Sequence, residues 1–178
     1  MALQSNVTFN QAIGLPGSID SNNGYNIKTY YAADGTPTPV PGAPAKLYFG
    51  LAAFKDLTDT TLSTIVPGKV GFTLDNFAGF IARNPTAENV ISGSHTTVNG
   101  DRLGVLSSGY IFVVALTPMT AGTDPVHVII NDADPTNIGK ITNAPVSADV
   151  IDISSVVLLQ NSSTLPNSIV RVVVKTLL

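Results

Sequence analysis

No cysteine occurs anywhere in the sequence, which removes disulfides, Cys-ligated zinc, iron–sulfur clusters and thiol nucleophiles together. Tryptophan is missing as well, and with it the largest aromatic platform for stacking on a sugar. Charge is scarce: 12% of the residues are charged, against about 25% in ordinary globular proteins. Twelve acidic and nine basic residues give a net charge of −3 without any run of Lys or Arg, so a phosphate backbone is not an expected partner. No segment reaches the roughly 18 uninterrupted apolar residues of a membrane helix. The opening MALQSNVTFNQ has neither a basic nor an apolar signal region, so the chain reads as soluble, away from membranes, with the mature protein beginning near Met1. Helix signals are equally thin, because Glu88 is the sole glutamate and Gly or Pro interrupts almost every stretch.

Branched residues fill the space these absences leave. There are 19 Val, 14 Ile and 19 Thr, whose branched Cβ atoms suit a pleated surface. They gather in short runs separated by turn formers: TLSTIV then PGK, KVGFTL then DN, FAGFIA then RNP, SGYIFVVAL then TPMTAGTD, PVHVII then NDADPTN, and a closing NSIVRVVVKTLL. This spacing predicts an all-β fold, an antiparallel jelly-roll or barrel-like sandwich. At 178 residues one domain with a real core is the expectation. With 44% hydrophobic residues and so little charge, much of the surface must be neutral and open to contact with another protein.

Two segments stand apart. Residues 1–24 are rich in Asn, Gln, Ser and Gly with scattered Val7, Phe9, Ile13, Leu15 and Ile19, and read as an irregular arm preceding an all-β domain over 25–178. Asp34 to Lys46 holds four prolines and reads as an exposed loop between strands with a bias toward extended polyproline geometry. Just after the arm come Tyr25, Tyr30 and Tyr31, which suit sugar stacking, a protein interface or the edge of the core.

The candidate chemistry is sparse. Asp124 and His127 sit in a stretch that reads as a hairpin, and the alternation around Val126 and Val128 places His127 on the less buried face. No Ser lies in a G-x-S-x-G elbow to serve that pair, and Asp124 before Pro125 is ordinary turn chemistry. The loop NDADPTN, with Asp132 and Asp134, crowds oxygen ligands yet fails the EF-hand pattern; a turn between strands explains it better. DLTDTT, from Asp56 to Thr61, reads as a loop with side-chain to backbone bonds, and His95 as a solvated loop residue. No catalytic group, cofactor or metal is expected.

Several stretches are familiar as a set: GLPGSI (14–19), YFGLAAF (48–54), FAGFIARN (77–84), GDRLGVLSSGYIFVVA (100–115), AGTDPVHV (121–128) and NSIVRVVV (167–174). In this order they resemble the capsid cement, or head decoration, proteins of tailed bacteriophages, over most of the chain from Gly14 on. Thr123 is an insertion relative to that pattern, and residues 131–155 do not align with it. The resemblance implies a non-enzymatic virion protein, made in the host cytoplasm, that binds the outer surface of the phage head. There it would act as a homodimer or homotrimer bridging subunits of the major capsid protein. Its interface would draw on the arm residues Val7, Phe9, Ile13, Leu15 and Ile19 with Tyr25, Tyr30 and Tyr31. The alternative is a carbohydrate-binding β-sandwich module of a phage fibre or adhesin.

Overall fold

The computed structural model describes residues 15–20, 24–56, 59, 61, 63–83 and 97–176. Ten strands carry the fold: β1 (Asn26–Ala32), β2 (Ala52–Lys55), β3 (Thr64–Val66), β4 (Phe77–Ala82), β5 (Arg102–Ala115), β6 (His127–Ile129), β7 (Ile141–Thr142), β8 (Val150–Asp152), β9 (Val157–Leu159) and β10 (Ser168–Val174). Five of them close on themselves. β1 pairs with β3, β3 with β2, β2 with β4, β4 with β5, and β5 returns to β1, so the five strands form a closed ring in which β3 meets β1 at Tyr31 and Ala32. The second half of β5 leaves the barrel and enters an open sheet ordered β9-β10-β5-β7-β6-β8. The chain is therefore all-β, a barrel joined to a sheet through one shared strand. Two pairings, β1 with β3 and β5 with β7, are parallel within an otherwise antiparallel design.

Alternation along the strands divides the core in two. On β2, Ala53 points into the barrel while Ala52 and Phe54 point toward the open sheet; on β4, Ala78 and Ile81 point in while Phe77, Phe80 and Ala82 point out. All six residues of FAGFIA are buried, which is why that run is apolar without a polar face. The open sheet supplies the opposing surface with Ile111, Val113 and Ala115 of β5 and Val170, Val172 and Val174 of β10.

Four expectations change. The stretch 110–130 is not a hairpin: β7 lies between β5 and β6 in the open sheet, so 116–126 is a crossing connection and not a tight turn. KVGFTL forms no strand; it runs through a turn into a 3-10 turn over Leu74–Asn76, where Asn76 Oδ1 accepts from the Thr73 amide at 3.0 Å. His127 is buried, 7% exposed, because β6 is an inner strand flanked by β7 and β8 and the Ala144 carbonyl lies 2.6 Å from His127 Nδ1. The Pro-rich loop is exposed between β1 and β2, as expected, but folds back in a turn and does not run extended.

Residues 15–20, read as part of an irregular arm, are stitched to the sheet. Gly17 and Asp20 donate their amides to the carbonyls of Phe112 and Tyr110 at 2.7 and 3.1 Å, and Phe112 donates to Ser18 at 3.0 Å. Ile19 bridges to Ile111 and packs on the interlayer core. The reason lies in two motif glycines. A Cβ at Gly17 would sit 2.8 Å from Phe49 Cβ, and one at Gly50 would sit 2.7 Å from the Gly17 amide nitrogen, so the arm reaches this depth only because both positions lack side chains. Val7, Phe9, Ile13 and His95 lie outside the described residues.

Candidate interaction surface

β1 presents alternate residues to opposite sides. Tyr30 and Ala32 point into the barrel, while Tyr25, Ile27 and Tyr31 are 51%, 38% and 43% exposed. Tyr30, grouped with its neighbours as a contact residue, is thus a core residue of its own chain at 7% exposure, the edge-of-core role weighed for this cluster, and burial raises its phenol pKa. What remains outside is a stripe from residue 25 to 31, about 20 Å long at strand rise. Arg102, directly opposite Tyr31 on β5, donates to the Tyr31 hydroxyl at 3.1 Å and lies 5.4 Å from its ring centroid, which fixes the ring in place. Ile27 lies over Gly104, where a Cβ would come within 3.1 Å of it. Leu15, 57% exposed, marks the end of the stitched arm segment. Ile19 is half-buried on the interlayer core, which leaves Leu15, Tyr25 and Tyr31 as the described members of the expected contact set that face outward.

Other exposed apolar side chains escaped the sequence reading: Ile27, Val40, Tyr48, Val70, Val146, Leu158 and Leu165. Only Ile27 carried a signal, by its spacing of two from Tyr25 and four from Tyr31; the rest sit in loops or on a short edge strand where no period shows.

The candidate catalytic pair is not assembled. Asp124 Oδ2 accepts from the Thr120 amide at 2.7 Å and from Asn143 Nδ2 at 3.1 Å, which is the turn role its position before Pro125 predicts. The ring of His127 instead meets the Ala144 carbonyl and, 3.7 Å from Nε2, Asp152. Nearby Ser154 has its hydroxyl committed to Val126, accepting from the amide at 2.8 Å and donating to the carbonyl at 3.2 Å. Among the described residues no group of three or more His, Asp or Glu is placed to hold a metal ion, and no helix is long and apolar enough to cross a membrane. Asp132 and Asp134 hold their own loop between β6 and β7: Asp132 Oδ1 accepts from the Asp134 amide at 2.8 Å and Asp134 Oδ1 from the Thr136 amide at 2.9 Å.

The described polar candidates hold their own turns and strands, and the exposed face of β1 carries Tyr25, Ile27 and the Arg102-backed Tyr31. The family model described as a structural cement protein (E217 gp24/Pam3 gp6) matches residues 3–175, and the chain belongs to this phage cement family. A chain of the solved structure named "The capsid of Myoviridae Phage XM1" shares the fold with a TM-score of 0.63 at 17% identity, covering 100% of both chains. No curated protein matches the sequence.

Proposed function

We propose that the protein cements a phage head: it binds the outer surface of the assembled capsid as a homodimer or homotrimer and bridges neighbouring major capsid subunits. The observation that carries this reading is the match of the cement family over residues 3–175; the capsid origin of the fold relative is consistent with it. Contact runs through the arm of residues 1–24, in whose described part Leu15 is exposed, and continues over the stripe Tyr25, Ile27 and Tyr31. On β1 the contact is made through the outward side chains of this stripe. Several copies linked together hold several capsid sites at once, and this avidity strengthens the hold without new contact types.

The test is cosedimentation of the purified chain with heads that lack it. Saturable binding at a fixed ratio to the major capsid protein is expected, with a weaker hold when residues 2–14 are removed. That truncation stops short of Gly17 to Asp20, which are part of the sheet. Failure of the full chain to bind overturns the reading. The carbohydrate alternative loses ground at Tyr31, where the Arg102 guanidinium already covers one face of the ring. Hits on a glycan array without head binding would restore it.

A further inference from the structure

The Pro-rich loop between β1 and β2 is exposed, yet it is held as firmly as a strand. Every residue from Thr36 to Gly42 is exposed, with Val40 at 63%. Beneath it, Asn99 is buried at 6% exposure and donates its side-chain amide to the Val40 carbonyl at 3.0 Å and to Asp34 Oδ2 at 3.1 Å. The backbone of Asn99 donates to the Ala43 carbonyl at 2.8 Å and accepts from the Gly42 amide at 3.3 Å. At one end Asp34 Oδ1 takes the Thr36 amide at 2.9 Å. At the other, Val40-Pro41-Gly42-Ala43 closes a tight turn with a 3.1 Å bond from the Ala43 amide to the Val40 carbonyl, with Gly42 at φ 78 as a type II turn with Pro at its second position requires.

The chemistry of the loop suits burial against another protein. No charged residue occurs from Gly35 to Ala45. Pro37, Pro39 and Pro41 have no amide hydrogen, and the amides of Thr36 and Gly42 are already bonded within the chain. Among the loop's backbone amides, covering it would leave only those of Thr38 and Val40 to be satisfied, which lowers the donor share of the desolvation cost. Its carbonyls remain as acceptors, and a loop ordered before contact loses little entropy on binding.

We propose that residues 36–42 are a preformed plug that seats in an uncharged, apolar groove of the capsid shell subunit. Apolar side chains of that groove would pack on Val40 and the proline rings, and its hydrogen-bond donors would meet the loop carbonyls. This rests on the cementing role and adds a second contact, separate from the arm and the β1 stripe. Wild type, Val40→Asp and Pro39→Gly are titrated against cement-free heads, and their self-association is followed by analytical ultracentrifugation. A charge at the loop tip should weaken head binding about 30-fold or more, the loss typical of a hot-spot side chain, with the oligomer and the unfolding midpoint unchanged. Pro39→Gly keeps Val40 but loosens the loop, and should weaken binding by about 2- to 5-fold. If wild type binds and Val40→Asp binds equally well, the plug is refuted while the cementing role stands; if wild type does not bind, the cementing role itself fails. A change in oligomeric state with Val40→Asp would put the loop on a second copy and overturn the assignment to the shell.

Discussion

The barrel interior and the layer between barrel and sheet are built from different residues. Inside the barrel stand Tyr30, Ala32, Ala45, Ala53 and Ala78 with Leu47, Ile65, Ile81, Leu103 and Val105; between the layers stand Phe54, Phe72, Phe77 and Phe80 among branched aliphatics. Phe77 meets Phe54 and Phe80 edge-on with centroids 6.1 and 5.4 Å apart. A ring of only five strands encloses little volume, so the ring of Tyr30 is balanced by four alanines, whereas two facing sheets stand about 10 Å apart and are bridged by a cluster of Phe rings. The same strands serve both: every Phe of β2 and β4 faces the layer, while Ala53, Ala78 and Ile81 face the barrel.

Two substitutions on those strands break the comparison from opposite directions. Phe80→Ala opens a cavity in the interlayer core, where Phe80 is fully buried, and should cost about 3–5 kcal/mol, read as a fall in the urea midpoint at unchanged slope. Ala53→Leu overfills the barrel at a position with 0% exposure and should cost about 1–3 kcal/mol. If enlarging Ala53 were neutral while shrinking Phe80 remained costly, the barrel would have spare interior volume and the size argument would fail.

How far the residues announced this arrangement varies by element. The runs FAGFIA, SGYIFVVAL and NSIVRVVV became β4, the outgoing half of β5 and β10, because a strand covered on both faces or alternating over seven positions leaves a strong pattern. β1 was overlooked as a strand: its period is written in Tyr30 and Ala32 against Ile27, Thr29 and Tyr31, and tyrosine serves either face. β7 and β8, at two and three residues, are too short to show any period, and missing β7 turned a crossover into a supposed hairpin. His127 was misplaced for the same reason, since only the neighbours of β6 reveal that both its faces are covered. The stitched segment 17–20 was hidden because its anchorage is backbone hydrogen bonding, which side-chain patterns do not record. Of the exposed stripe, Tyr25 and Tyr31 were legible as aromatics beside an irregular arm, but only strand alternation separates them from Tyr30.

The smallest expected effect concerns a feature both halves share. Asp34, Asp59 and Asp134 each accept, through Oδ1, the hydroxyl of the threonine two residues on at 2.7 Å and its amide at 2.9 Å, and Asp152 accepts the Ser154 amide at 2.8 Å. Two of these turns border barrel strands and two border the open sheet. In the first three the threonine hydroxyl, then its amide, holds the carboxyl pKa below the ordinary value; at Asp152 the Ser154 amide is the leading cause. A folded pKa below the unfolded one means that the unfolded chain takes up protons first. The stabilisation is therefore full above the unfolded carboxylate value and is lost as pH falls through the folded one. The unfolding midpoint should decline as pH drops from about 5 toward about 2. Asp59→Asn should unfold earlier than wild type at neutral pH, with the gap closing in acid, because the neutral amide has no proton to gain. Asp152→Asn should behave alike from the other layer; a gap that closes for one substitution and stays constant for the other would show that acid attacks a single layer, and the barrel and sheet would then unfold as separate units.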